Sequence, residues 1–265
     1  MTATRSNGSF PRRFGITLAA GLPGILALAG WVFVTTDPAD VPAGLTTSTY
    51  TLAAAVNPLL LLAVACALGA YIAPRVGLES YLADRVEGGG AVWPRLRADL
   101  RLAVGLGVAG SVAIIALDTA FAVVVGVDLT AAGLGTETLG GVLVYAPVRF
   151  LYGGITEELL LRYGLMSVLV YAGWRLLGAR ASGPSSGVVW VAIVASAVLF
   201  GVGHLPALAA SVDLTPAIIV RTVLLNAIGG VVFGWLYWRR SLEAAMVSHA
   251  TFHVPLLALS LLQVV

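Results

Sequence analysis

The sequence predicts an all-α fold, a polytopic transmembrane helix bundle with seven spans. Two observations predict this class. Hydrophobic residues make up 59% of the 265 residues and charged residues only 11%, whereas a soluble domain carries about 25% charged residues. The hydrophobic residues are also gathered into runs of about 20, the length that a helix needs to cross the hydrocarbon core of a bilayer. We therefore expect a multi-pass protein of the cell membrane, with the lipid bilayer as a partner.

Seven apolar runs are long enough to span the membrane. In chain order they cover residues 14–35, 52–73, 102–127, 140–161, 188–208, 216–238 and 242–262. A shorter apolar run at 163–177 has three interpretations. It continues the fourth helix at an angle, lies on the membrane surface, or forms an eighth span.

The loops alternate in charge along the chain. Arginines precede the first span, fill the loop after the second, precede the fifth and follow the sixth, whereas the opposite loops contain acidic residues and no arginine. Arginine-rich loops face the cytoplasm. Seven spans with a cytoplasmic N-terminus therefore fit every loop, and an eighth span would break the alternation.

This arrangement divides the chain into three parts. Residues 1–13 form a cytoplasmic N-terminal tail, residues 14–138 hold the N-terminal transmembrane helices with a cytoplasmic loop at 74–101, and residues 139–265 form a second helix bundle. Three glycines at 88–90 divide the loop, and each half is expected to form a short amphipathic helix on the membrane surface.

Composition also excludes some functions. A net charge of +2, with arginines scattered over the loops, indicates no nucleic-acid partner. The single cysteine, Cys66, cannot form an internal disulfide.

Five titratable residues lie inside apolar runs, and they include all three histidines of the chain. They are Glu157, Glu158, His204, His249 and His253. Titratable groups are costly inside a bilayer and usually face a cavity where they serve a function. Carboxylates and imidazoles together are the groups of acid–base catalysis and of metal sites.

Helical spacing gives the acidic residues different roles. Glu158 and Arg162 are four positions apart, so they share a helix face and neutralise each other. Arg162 is therefore interpreted as structural support. Glu157 is rotated by about 100° from Glu158, so it projects elsewhere and is free to act as a base.

Spacing also groups the histidines. His249 and His253 are four positions apart, so both rings can face one cavity. Phe200 lies one turn before His204 and is expected to hold that ring in place. The groups come from three separate spans, and sites in helix bundles are commonly built from inward side chains of facing helices.

Three motifs in this order resemble those of the CPBP intramembrane proteases. That family includes type II CAAX prenyl endopeptidases, bacteriocin-processing proteins and abortive-infection proteins. The resemblance covers the chain from about residue 142 to its C-terminus. The motifs are Glu157-Glu158 with Arg162, Phe200 with His204, and His249 with His253.

The resemblance implies an enzyme that hydrolyses a peptide bond within the membrane. Its substrate would be a membrane-associated peptide or protein, with prenylated CAAX-type tails among the candidates. Glu157 with His204 would activate a water, and His249 with the residue four positions later would stabilise the oxyanion. That last residue is usually asparagine in the family and is His253 here. An imidazole N–H can still donate to an oxyanion.

The imidazole at position 253 leaves a second mechanism open. Glu157, His204, His249 and His253 would also make a four-ligand set for a divalent metal such as zinc, with Glu157 as ligand or as base. No cofactor is certain from the sequence, and both the metal-free and the metal-dependent mechanism fit it.

Other functions also fit the buried charges. A transporter or channel would use Asp118, Glu157 and Arg221 as an ion path. In a structural interpretation, Asp118 pairs with Arg149 or Arg221. A haem protein with two axial histidines and a scaffold without catalysis are further alternatives, and neither needs the adjacent glutamates.

Overall fold

The computed structural model describes residues 10–125, 138–177 and 182–264, and all regular structure in them is helical. Seven of the helical elements are long and apolar enough to cross a membrane. The predicted all-α bundle with seven spans is therefore confirmed. The orientation of its N-terminus toward the cytoplasm stays a prediction.

Ten α-helices are present in these residues. They are α1 (Phe10–Thr35), α2 (Thr47–Ile72), α3 (Tyr81–Arg85), α4 (Val92–Val125), α5 (Leu139–Pro147), α6 (Ser167–Leu177), α7 (Ser186–Gly203), α8 (Leu205–Ala209), α9 (Pro216–Arg239) and α10 (Leu242–Val264). Two π-helical segments, Val148–Thr156 and Leu159–Met166, join α5 to α6.

The loop predicted at 74–101 is only partly a loop. Its first half contains α3, but its second half is the start of α4, which begins at Val92 and continues into the span. The prediction of a second, separate amphipathic helix in this loop is therefore wrong. Helix α1 begins at Phe10, so residues 10–13 of the predicted tail are helical, and residues 1–9 lie outside the described residues.

The fourth span is one continuous element from Leu139 to Leu177, with 39 residues. The run at 163–177 therefore continues the fourth helix, which was one of its three interpretations. Helix α5 ends at Pro147, where the α-helical pattern gives way to the wider π-helical turns. Proline removes a backbone donor and clashes with the carbonyl four residues earlier, and π-helical turns in a helix are frequent at functional sites.

Close helix packing places this fourth element inside the bundle. The π-helical segments contact α1, α2 and α10, and α10 in turn contacts α4 and α9. Gly24 lets α1 approach, because a Cβ there would lie 2.6 Å from the carbonyl oxygen of Leu151. The hydroxyl of Thr156 donates to the carbonyl of Gly21 at 2.9 Å. The N-terminal helices thus pack directly on the helix that begins at Leu139.

The arginine-rich end of the bundle is fastened by one buried carboxylate. Glu243, in the first turn of α10, accepts hydrogen bonds from the Ser80 hydroxyl at 2.7 Å and from the backbone N–H groups of Tyr81 at 2.8 Å and Leu82 at 3.0 Å. The Tyr81 hydroxyl donates to Asp99 at 2.7 Å. Burial, together with the hydrogen bond to Asp99, raises the pKa of Tyr81 to about 12. The loop that holds α3 is therefore fixed to α4 and α10.

Candidate active site

The predicted site residues come from three elements that meet inside the bundle. Glu157 and Glu158 lie between the two π-helical segments, His204 caps the C-terminal end of α7, and His249 and His253 lie on α10. The segments are far apart in sequence, so only the packing of the helices brings them together.

The pair of Glu158 and Arg162 forms as predicted. Arg162 Nη1 lies 3.2 Å from Glu158 Oε1, and both side chains are completely buried. Arg162 Nη2 also donates to the carbonyl of Gly230 on α9 at 3.0 Å. The cation thus joins the fourth helix to α9 and balances a carboxylate that has no access to water.

Glu158 also contacts a histidine. Its Oε1 lies 2.8 Å from Nδ1 of His249. Glu157 approaches the same ring from the other side, with Oε2 3.9 Å from Nε2. Glu157 was expected to project elsewhere than Glu158, but both glutamates face one imidazole. The Glu157 side chain is 18% exposed and that of Glu158 is fully buried, so Glu157 is the carboxylate that water can reach.

Aromatic rings fix the plane of His249. Phe233 on α9 stacks on it, with ring centroids 4.4 Å apart and planes 16° apart. His253 stacks at 5.1 Å, and Phe200 meets the ring edge at 5.8 Å. Stacked and edge-to-face contacts of this kind stabilise one ring orientation. The ring therefore presents one nitrogen to each glutamate.

His204 is held by Phe200 in two ways. Its Nδ1 lies 2.8 Å from the Phe200 carbonyl oxygen, and the two rings meet edge to face at 4.7 Å. A carbonyl only accepts, so Nδ1 carries the hydrogen and Nε2 of the neutral ring is an acceptor. The Phe200 ring also contacts His249. A single aromatic ring thus separates the two imidazoles, and the predicted role of Phe200 in holding His204 has a structural basis.

His253 faces the fourth helix without a polar partner. Both ring nitrogens are buried and have no hydrogen-bond partner among the described residues. Gly153 lies directly opposite, because a Cβ there would stand 2.7 Å from His253 Nε2. A buried donor without a partner costs free energy, so this ring is maintained at a cost to stability.

The four predicted metal ligands do not assemble into a metal site. In the described parts of the chain, no three side chains of His, Cys, Asp or Glu are arranged to hold a metal ion. His249 Nδ1 contacts Glu158, and its Nε2 lies 3.9 Å from Glu157 Oε2.

Asp118 pairs with one of the two arginines considered for it. Arg221 Nε and Nη2 donate to its two carboxylate oxygens at 2.6 and 2.7 Å. Asp118 thus has the partner that the structural interpretation expected. Arg149 contacts Ser260 instead, with 3.3 Å between Nη1 and Oγ.

Two residues near the site have contacts that the sequence did not indicate. Phe233 stacks on His249, and the carbonyl of Gly230 accepts from Arg162. In a single sequence, glycines and aromatic residues in apolar runs look like ordinary helix packing. The signal lies in their positions relative to other helices.

The fold and this geometry define a class, a polytopic membrane helix bundle with a buried acid–base centre of glutamates and histidines. Residues 139–254 match the family model described as Type II CAAX prenyl endopeptidase Rce1-like. This match supports the resemblance of the segment to the CPBP family of intramembrane proteases. The matched segment contains all seven motif residues, and helices α1 to α4 lie outside it. No curated protein and no solved structure matches the chain.

Proposed function

We propose that this protein is an intramembrane endopeptidase in which Glu157 activates the attacking water. The observation that carries the proposal is the buried chain Arg162–Glu158–His249, which ends 3.9 Å from the more exposed carboxylate of Glu157. The family match supports the class of reaction. The roles of the residues follow from the contacts.

Glu157 is the general base. A water at ordinary hydrogen-bond distances of about 2.8 Å from both Glu157 Oε2 and His249 Nε2 fits the gap between them. Glu157 takes one proton from this water as its oxygen attacks the scissile carbonyl, and then passes that proton to the leaving amine. His204 Nε2, an acceptor in the neutral ring, assists in orienting the water. A positioned general base contributes about 10²- to 10⁴-fold in rate.

His249 and His253 stabilise the oxyanion of the tetrahedral intermediate. His249 Nε2 is the ring nitrogen left to donate to the oxyanion, because Nδ1 lies 2.8 Å from Glu158. His253 supports this role, because its nitrogens have no competing partner among the described residues. Donors aimed at the developing charge act most strongly where water is excluded.

Glu158, Arg162 and Phe233 hold His249 in place. Glu158 fixes which nitrogen of His249 points inward, and Arg162 holds Glu158 through a contact of 3.2 Å. Phe233 prevents rotation of the ring. Supporting contacts of this kind keep catalytic groups within the narrow range of positions that the reaction requires.

The substrate class proposed is a membrane-associated peptide or protein of the prenylated CAAX type. The family match supports it. A lipid-modified peptide concentrates in the bilayer, where the site lies. Water reaches the site at Glu157, whose side chain is partly exposed.

The test is cleavage of a farnesylated CAAX peptide by the purified protein in liposomes. We expect Glu157→Gln to lower the cleavage rate at least about 100-fold, because the amide keeps the shape but cannot take the proton. Asp213→Asn makes the same chemical change at an exposed carboxylate before α9 and is the matched control, with an unchanged rate. Products are followed by mass spectrometry. Equal cleavage by wild type and Glu157→Gln would refute the assignment.

A further inference from the structure

Arg149 is a cation inside a spanning helix that has no carboxylate partner in the part of the chain that the structure describes. Among the described residues, its contacts are the Ser260 hydroxyl at 3.3 Å from Nη1 and the Tyr145 ring at 5.4 Å from the guanidinium carbon. The intramembrane arginines Arg162 and Arg221 each pair with an acid. A charged side chain in the membrane is costly and usually serves a function. Arg149 is therefore a candidate site for an anion.

Arg149 lies on the face of the fourth helix that carries Glu157. Arg149, Gly153 and Glu157 follow one another at intervals of four residues. Steps of four keep side chains on one face of an α-helix, and they do so in the slightly wider π-helical turns as well. The three positions thus form a stripe with a charged group at each end and a glycine between them.

The middle of this stripe faces the candidate oxyanion donor. Gly153 has no side chain, and the position of its missing Cβ is 2.7 Å from His253 Nε2. An anion at Arg149 and a carbonyl at His253 and Glu157 would therefore lie along one line on the helix surface.

The distance along the helix from Arg149 to Glu157 matches the length of a short C-terminal peptide segment. Arg149 is eight positions before Glu157, which corresponds to about 12 Å along an α-helix axis and less in wider turns. Three extended residues span about 10 Å. A CAAX motif places three residues between the prenylated cysteine and the free C-terminal carboxylate. A peptide cut at that cysteine would thus bring its terminal carboxylate close to Arg149.

We propose that Arg149 binds the C-terminal carboxylate of the substrate and so selects peptides that end a few residues beyond the scissile bond. This inference rests on the proposed function. A guanidinium binds a carboxylate through two parallel hydrogen bonds. Ser260 holds one terminal nitrogen in place, and the Tyr145 ring supports the guanidinium. The enzyme would then distinguish chain ends from internal segments of membrane helices.

The experiment measures binding, so that it does not depend on catalysis. Glu157→Gln protein in phosphatidylcholine nanodiscs is titrated with two fluorescent farnesylated CAAX peptides that differ only in a terminal carboxylate or amide. We expect the carboxylate peptide to bind at least tenfold more tightly. Adding Arg149→Gln should bring the ratio to about one by weakening the carboxylate peptide alone, and Arg149→Lys should retain part of the preference. Arg12→Gln, an exposed arginine at the start of α1, is the control with an unchanged ratio.

Three results would overturn the proposal. The first is equal binding of both peptides when Arg149 is present. The second is equal weakening of both peptides by Arg149→Gln, which would indicate a structural role. The third is loss of the preference when phosphatidylglycerol is added, which would assign Arg149 to a lipid phosphate. The outcome is separable from that of the cleavage test. If the protein prefers the carboxylate peptide but does not cleave it, the proposed protease activity is refuted and the proposed carboxylate site is retained.

Discussion

Two ion pairs of the described spanning helices, Asp118 with Arg221 and Glu158 with Arg162, differ in geometry in a way that separates support from chemistry. Asp118 and Arg221 join α4 to α9 through two short hydrogen bonds of 2.6 and 2.7 Å, and their side chains are 27% and 16% exposed. Glu158 and Arg162 are fully buried, yet they make one longer contact of 3.2 Å. The more deeply buried pair has the poorer mutual geometry.

The reason is that Glu158 divides its interactions. Its Oε1 meets both Arg162 and His249, whereas Asp118 gives both oxygens to one arginine. An ion pair in which both carboxylate oxygens bind the same arginine can only hold helices together. A carboxylate that retains capacity for an imidazole can orient that imidazole. The comparison indicates that a buried carboxylate shared between an arginine and a histidine marks a reactive site. A carboxylate that binds one arginine with both oxygens marks a structural contact between helices.

The largest effect is expected at the buried pair. Arg162→Met leaves Glu158 without its cation, and breaking a buried pair costs about 3–5 kcal/mol. The double variant Glu158→Gln with Arg162→Met removes both charges and should lose less. The free energy of unfolding in detergent, followed by tryptophan fluorescence, measures both. If the double variant is less stable than the single one, Glu158 is not charged in the folded protein and the comparison is wrong.

A smaller effect is expected at the partly exposed pair of Asp118 and Arg221. Asp118→Asn should lower the free energy of unfolding by about 1–2 kcal/mol, between the values for exposed and buried pairs. Cleavage of the farnesylated peptide should stay within a few-fold of wild type, because the pair does not contact the glutamates or histidines. Arg221→Gln is the matched change on the partner side. A loss of cleavage as large as that of Glu157→Gln would place this pair in the reaction and end the distinction.

The smallest effect is expected outside the membrane-spanning segments, where the substitution removes a single hydrogen bond. Tyr81→Phe removes the hydrogen bond to Asp99, which is worth about 1 kcal/mol. The pKa of Tyr81 is raised to about 12 from an ordinary value of about 10, so the folded protein holds the hydroxyl proton more tightly than the unfolded chain does. This contribution is present below about pH 10 and is lost as the pH rises to about 12. Unfolding measured over that range should show a shallower decline for Tyr81→Phe, and identical slopes would contradict the contact.

Much of the site could be predicted from local spacing. The pairing of Glu158 with Arg162 and the stacking of His249 on His253 both follow from four-residue intervals on a helix. What could not be predicted is that Glu157 and Glu158 meet the same ring, because that depends on how α10 lies against the fourth helix. The choice of Arg221 over Arg149 as the partner of Asp118 depends on the packing of α4 against α9 in the same way.

The sequence by itself determined the all-α membrane bundle, its seven spans and the residues that could react. It did so because hydrophobic runs of spanning length and i, i+4 spacing are properties of single helices. Tertiary structure alone decided that the 163–177 run extends the fourth helix, that one imidazole lies between two carboxylates, and that Arg149 has no acid among the described residues. These depend on close approaches between helices, such as that at Gly24, where a missing side chain sets the distance between backbones. A linear pattern does not contain such distances.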